Sequence, residues 1–270
     1  MNARPIGVFD SGMGGLTVLR ALTHRLPHEH FIYLGDTARL PYGTKSPDTV
    51  RRYAVQAAHA LIGRDVKLLV VACNTASVAL PALAEAVAPV PAIGVIEPGA
   101  AAARAAAPEG PIAVIATEGT VKGGAYVRAI QQTRAIPVVQ QACPLFVALT
   151  EEGLVDGPIA EAIVHRYLDP LFATVPRPKC LLLGCTHYPA LGPLIAGVAG
   201  DAVTVVDSAE TTADAVALLL KARGLANGET SERPVHFLAT DAPDRFARVG
   251  EIFLGRGIDP GDVELVDLTA

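Results

Sequence analysis

Lys67-Leu-Leu-Val-Val-Ala-Cys73-Asn-Thr75 and Lys179-Cys-Leu-Leu-Leu-Gly-Cys185-Thr-His187 align without a gap. Each is a lysine, an apolar run, a cysteine and two polar residues. A short continuous apolar run bounded by polar residues suits a parallel strand buried on both faces. Upstream, Pro5-Ile-Gly-Val-Phe-Asp10-Ser11-Gly12 resembles Pro111-Ile-Ala-Val-Ile-Ala-Thr117-Glu118-Gly119, and downstream Val95-Ile96-Glu97 matches Val205-Val206-Asp207. Three matches in one order predict two similarly built α/β halves. The pattern of apolar runs predicts strands at Ile6–Phe9, His30–Leu34, Leu68–Ala72, Ala92–Ile96, Ile112–Ile115, Ile136–Val139, Cys180–Leu183 and Val203–Val206. Helical spacing joins Leu16, Leu19, Leu22 and Leu26, a second helix runs from Pro47 to about Ile62 behind a Ser46 cap, and Ala100 to Ala107 is helix-prone. The expected fold is therefore α/β: two similar three-layer domains with mostly parallel sheets, related by a pseudo-twofold, with the site in the cleft between them.

Composition narrows the function. The 270 residues suffice for two domains or one large α/β domain at about 150 residues each. Hydrophobic residues make up 51% and charged residues 18%, which excludes a disordered chain. Lys plus Arg number 22 against 27 Asp plus Glu, a net charge of −5, so no nucleic-acid partner is expected. Cys73, Cys143, Cys180 and Cys185 do not form zinc-type pairs, and no metal is expected. The most apolar stretch, Leu68 to Ile96, is broken by Asn74, Thr75, Glu85 and three prolines, so no membrane span is expected. MNARPIGVFDSG carries no signal-peptide pattern, which predicts a cytoplasmic protein with reduced thiols.

Ligands of open α/β sheets bind beyond the carboxyl ends of the strands. Cys73 and Cys185 each stand at such an end, and Asp10 and Ser11 end the first strand. The residues after each cysteine begin the next loop or helix, whose free N–H groups and dipole hold carboxylates and lower thiol pKa values. If the halves face one another, two thiols approach one ligand from opposite sides. That arrangement suits stereoinversion: one sulfur removes a proton as thiolate while the other delivers a proton to the opposite face. An amino-acid α-hydrogen is weakly acidic, so fixed donors must stabilise the carbanion. Asn74, Thr75, Thr186 and His187 are candidates, with Asp10 and His187 as proton carriers.

Each residue alone also has a structural reading. A buried cysteine packs inertly, and Cys143 and Cys180 keep that role; Asp10 could cap a helix, His187 could sit in a turn, and Tyr42 could pack on a loop. Gly12-Met-Gly14-Gly15 invites a nucleotide reading, yet Thr17 stands where the third glycine belongs and no Gly-Lys-Ser/Thr motif is present. Two other classes stay open: a thiol hydrolase or acyl transferase using Cys185 with His187, and a non-catalytic amino-acid-binding module. No lysine stands out as a pyridoxal-phosphate site, so no cofactor is expected.

The segments GVFDSGMGGLTVLRAL (7–22), YLGDTARLPYGTKS (33–46), VVACNTAS (70–77), IGVIEPG (93–99), ATEGTVK (116–122), LGCTHYP (183–189) and VDSAETTA (206–213) extend over most of the chain in one order. In them the chain resembles the cofactor-independent aspartate/glutamate racemase superfamily, and within it the glutamate racemases. The resemblance implies interconversion of L- and D-glutamate, supplying D-glutamate for peptidoglycan. By motif position, Cys73 would take the α-proton from D-glutamate with help from Asp10, and Cys185 from L-glutamate with help from His187. An auxiliary acid after Cys143-Pro144 would be Glu151, ahead of Glu152. Substrate contacts would fall on Asp10, Ser11, Tyr42, Gly43, Asn74, Thr75, Thr120, Thr186 and His187. Asp36 lies in a family motif with either a site or a structural role. The resemblance also implies a discontinuous first domain, 1–96 plus 207–270, around a second domain, 97–206. The expected partner is the small-molecule substrate, and a homodimer is left open.

Overall fold

The computed structural model describes residues 3–228 and 235–268. Among these, the strands are β1 (Ile6–Asp10), β2 (Phe31–Gly35), β3 (Leu68–Val71), β4 (Ala92–Gly94), β5 (Ile112–Ala116), β6 (Val138–Ala142), β7 (Cys180–Gly184), β8 (Thr204–Asp207), β9 (His236–Ala239) and β10 (Val263–Leu265). The helices are α1 (Leu16–Arg25), α2 (Pro47–Ile62), α3 (Asn74–Ser77), α4 (Leu80–Ala86), α5 (Ile96–Ala106), α6 (Glu118–Gly123), α7 (Ala125–Gln131), α8 (Leu145–Glu151), α9 (Gly157–Phe172), α10 (Gly192–Ala199), α11 (Ser208–Ala222) and α12 (Pro243–Leu254).

Six strands pair in the order β10-β9-β2-β1-β3-β4, and four in the order β6-β5-β7-β8. Every pairing is parallel. Strands β1, β2, β3, β5 and β7 are buried at every position, because helices cover both faces of each sheet. Alternate side chains feed opposite layers: Ile6 and Val8 join the core with α1, α11 and α12, whereas Phe9 joins the core with α2. In the second sheet Ala113 and Ile115 pack toward α8, α9 and α10, and Ile112 and Val114 toward α5 and α7. This is the two-sheet, three-layer α/β architecture that the repeated strands implied.

The chain passes between the two sheets twice. β4 leads through Val95 into α5, which packs on α7 and β7, and β8 leads directly into α11, which packs on α1 and α5. Cα of Gly99 lies against this second crossing: a Cβ there would stand 3.4 Å from Ser208 Cβ.

Local sequence explains most boundaries. Ser46 caps α2 by accepting from the Thr49 N–H, ahead of Pro47 at the first helical position. β4 ends at Gly94, two residues before the predicted limit. The Ser77 hydroxyl fills the space a Cβ at 94 would need, 2.8 Å away, and accepts from the Val95 N–H, which turns the chain into α5. β6 begins at Val138, two residues later than predicted, because Pro137 has no N–H to give the ladder and only its carbonyl accepts, from Ile112 N. It runs on to Ala142 through Gln140 and Gln141, two polar residues that apolar patterning passes over. The two lysines that opened the sequence repeat diverge in the fold: Lys67 is buried and paired with Glu29, whereas Lys179 is exposed.

Candidate active site

Asp10 closes β1, and its side chain folds back to collect the start of α1. Oδ2 accepts from the N–H groups of Gly12 (3.1 Å) and Gly15 (3.0 Å), while the buried Oδ1 has no hydrogen-bond partner. Gly15 is required by this approach: a Cβ there would lie 2.5 Å from Asp10 Cβ and 2.9 Å from the Tyr33 hydroxyl. Burial pushes the Asp10 carboxyl above the usual carboxylate range, opposed by the charge of His187 and by the two N–H donors.

Cys73 follows β3 and caps α3, its sulfur 3.5 Å from the Ala76 N–H. Its thiol donates to the Ser11 hydroxyl at 3.6 Å and stands in the field of the Asp10 carboxyl. Burial, and then the Asp10 charge, hold this thiol well above the ordinary range, so it rests protonated.

Cys185 takes the matching place after β7, and here the following residues form a turn rather than a helix. His187 Nδ1 stands 3.9 Å from the Cys185 sulfur, and Nε2 stands 3.2 Å from Glu151 Oε1. Glu151 closes α8, and its second oxygen accepts from Arg245 of α12 at 2.9 Å. Glu152 caps the same helix and is exposed. Burial alone would lower the His187 pKa; contact with Cys185, Glu151 and Asp10 outweighs it and raises the ring to about 10. Glu151 is held below its ordinary value, where His187 and Arg245 overcome desolvation.

These two clusters meet. Thr17 of α1 donates to the carbonyl of Thr186 at 3.1 Å, and a Cβ on Gly14 would stand 2.3 Å from His187 Nδ1 and 2.7 Å from Thr186 Oγ1. Asn74 donates to the Tyr126 hydroxyl at 2.7 Å, across the same boundary. Thr75 reaches Thr117 (2.9 Å) and Thr120 (3.3 Å) across the same boundary. Gly43 passes so close to the second half that a Cβ would meet Thr117 Cβ at 2.8 Å. The first half thus meets the second along Gly14 and Thr17 against Thr186 and His187, and along Gly43 and Thr75 against Thr117 and Thr120. A cleft of roughly 240 Å³ opens beside this contact, between Leu40, Pro41 and Gly43 on one side and Thr117, Val147 and Glu151 on the other.

Tyr42 is buried at this edge and directs its hydroxyl to Asp36. Asp36 also accepts from Arg39 Nε at 2.7 Å and from Thr240 Oγ1 at 3.0 Å, so this fully buried carboxylate knits the loop after β2 to the end of β9. Sequence reading missed Thr117, Tyr126 and Arg245. Thr117 lay inside a quoted motif and in the repeat partner of Ser11. Tyr126 and Arg245 carry no local signal, since Arg245 is 94 residues from the carboxylate it touches. Among the described residues no group of three or more His, Cys, Asp or Glu is placed to hold a metal, and no helix is long and apolar enough to cross a membrane.

Comparison with known proteins places this geometry. The family profile described as Asp/Glu/Hydantoin racemase matches residues 7–216. A glutamate racemase of Geobacter metallireducens is 48% identical over 269 residues, 99% of this chain and 98% of that protein. The crystal structure of glutamate racemase from Francisella tularensis in complex with D-glutamate superposes with a TM-score of 0.91 at 38% identity, covering 99% of both chains. That from Thermus thermophilus in complex with β-chloro-D-alanine gives 0.88 at 45% identity, covering 98% of both. Full-length similarity of this order, on a chain with paired cysteines between two parallel sheets, makes it an isomerase: the chain belongs to the Asp/Glu/Hydantoin racemase family, among the glutamate racemases.

Proposed function

We propose that racemisation of glutamate here proceeds without a cofactor, by proton transfer between the α-carbon and two thiols, Cys73 and Cys185. The observation that carries this reading is the unlike pairing of two like residues. Cys73 stands beside a buried carboxyl, Asp10, and Cys185 beside a raised imidazole, His187, and the two carriers face each other through their charges. Cys73, which rests protonated, is a ready acid, whereas Cys185 has the cationic His187 ring facing its sulfur. In the direction from L-glutamate, Cys185 takes the α-proton and Cys73 returns one to the opposite face; from D-glutamate the roles exchange. Asp10 hands a proton back to Cys73, and Cys185 releases the one it gained to solvent beside the cationic His187 ring, which resets both sulfurs. Glu151 orients the His187 Nε2–H and leaves Nδ1 to face the sulfur.

The substrate's polar groups have matching partners. The unpartnered buried acceptors Asp10 Oδ1 and Asn74 Oδ1 suit the α-ammonium. Hydroxyls of Ser11, Thr75, Thr120 and Thr186, with N–H groups after each cysteine, suit the carboxylates, and Tyr42 and Gly43 wall the side-chain end. A cytoplasmic location and supply of D-glutamate to peptidoglycan synthesis belong to the same reading, which the four free thiols favour. So does the division into 1–96 plus 207–270 and 97–206. It is supported by the return of β9 to pair with β2 while β5 to β8 form their own sheet.

The test is incubation of reduced, cofactor-free protein with L-glutamate in deuterated water. Loss of optical rotation together with α-deuterium incorporation is expected. Exchange without inversion would remove one thiol from the scheme, and covalent acylation of Cys185 by an activated ester with a burst of product would favour hydrolase chemistry instead. A further prediction follows from the close approach at Gly14. Gly14→Ala should displace His187 and lower kcat/KM by about 10²-fold, the cost of roughly 1 Å of misplacement, with the fold intact by circular dichroism. Parental kcat/KM in that variant would show that the His187 position is not critical.

A further inference from the structure

Arg245 lies on α12, which packs on α1 and belongs to the layer of the six-stranded sheet. Its guanidinium nevertheless reaches Glu151, at the end of α8 over the other sheet. Glu151 is 12% exposed and spends its two oxygens on two partners, Oε2 on Arg245 Nη2 and Oε1 on His187 Nε2. The same helix touches His187 directly: the Phe253 ring meets the imidazole edge-on, with centroids 4.9 Å apart. A line of contacts therefore runs Arg245, Glu151, His187, Cys185, starting in one half of the molecule and ending at a thiol of the other.

We infer that Arg245 is a positioning residue for the Cys185 half of the site: docking of α12 places its guanidinium on Glu151, fixes that carboxylate in its charged form, and so aims His187 Nε2–H away from the sulfur and Nδ1 toward it. This rests on the two-thiol reading above and extends it to a residue that touches neither substrate nor sulfur. Among the described residues, the titratable or charged groups in contact with Glu151 are His187, from the turn after β7, and Arg245, from α12. Glu118 of α6 lines the same cleft, exposed Glu152 adjoins it in sequence, and His187 in turn faces Cys185 and Asp10. A cation within hydrogen-bond distance favours the charged carboxylate, so its removal shifts the Glu151 titration upward.

Arg245→Met is expected to move the acid limb of the kcat/KM profile up by about one pH unit. Glu151 stays ionised near neutral pH, so the loss of about tenfold in kcat/KM expected there comes from the misaimed imidazole, equally for both enantiomers because their ratio is tied to the equilibrium constant. Arg245→Lys should restore most of both. In a Glu151→Gln background, Arg245→Met should add no further shift of the limb. A merely structural contact would lower the melting temperature and leave the pH profile superimposable on the parent, and that result overturns the inference. Titration of the ¹³C-labelled Glu151 carboxyl by NMR in parent and Arg245→Met reads the same interaction without turnover. An unmoved carboxyl titration overturns it even if the protein proves not to racemise glutamate, whereas a moved titration with an inactive parent faults the two-thiol reading instead.

Discussion

Cys73→Ala and Cys185→Ala each lower racemisation by about 10²–10⁴-fold, the contribution of one positioned acid or base, while both variants remain folded. The expected losses are alike in racemisation and opposite in exchange. With Cys73 removed, Cys185 still reaches one face of the α-carbon. Deuterium then enters L-glutamate with retention and leaves D-glutamate untouched; Cys185→Ala gives the reverse. The pairing of Cys185 with His187 at 3.9 Å and of Cys73 with Ser11 at 3.6 Å gives each sulfur its own proton route, so neither substitutes for the other. Measurement is by chiral chromatography for inversion and proton NMR for exchange. Full racemisation in either single variant would sink the two-thiol scheme.

Lys67→Ala has the second large effect, on stability. Lys67 Nζ and Glu29 Oε2 form an ion pair with side chains 0% and 4% exposed, at the opposite end of β3 from Cys73. Removing one member of a buried pair leaves an uncompensated charge, at a cost of about 3–5 kcal/mol. Among the described residues Glu29 keeps the Asn227 N–H on its other oxygen, too little to offset that cost. For a chain of this size the unfolding midpoint should fall by about 10 °C. The double change Lys67→Met with Glu29→Leu should recover most of it, since an apolar pair of similar volume replaces both desolvated charges. Turnover by the folded fraction should stay near parental, because the pair lies away from the thiols. A parental midpoint in Lys67→Ala would show that the pair contributes little.

The parallel-sheet architecture was legible because buried strands leave unbroken apolar runs, and β1, β2, β3, β5, β7 and β8 stand within a residue or two of where those runs predict them. β9 and β10 were not legible. They are short elements late in the chain, His236–Ala239 and Val263–Leu265, and the pairing of β9 with β2 and of β10 with β9 is set by tertiary packing that no periodicity reports. At the site, the sequence repeat pointed to Cys73 and Cys185 because both occupy the same place at the end of a strand. It could not distinguish Lys67, which is desolvated against Glu29, from Lys179, which meets solvent. Nor could it find Tyr126 or Arg245, whose partners are distant in the chain and whose types are common on any helix. Glu151 and Glu152, adjacent and alike in sequence, are separated by geometry alone: one turns inward to His187 and the other outward to water.

The two passages of the chain between the sheets, at Val95 and at Asp207–Ser208, lie side by side, with α5 and α11 in contact. Two neighbouring tethers leave one inexpensive motion, a rotation of one half against the other about the line through both, much as a book opens at its spine. In the two-thiol reading proposed above the thiols stand on the two inner pages, so both enantiomers would share that opening. On that reading the frequency of opening would cap turnover in the L-to-D and D-to-L directions alike. Stiffening either tether would lower both rates together, however well the thiols, the carboxylate and the imidazole are aligned.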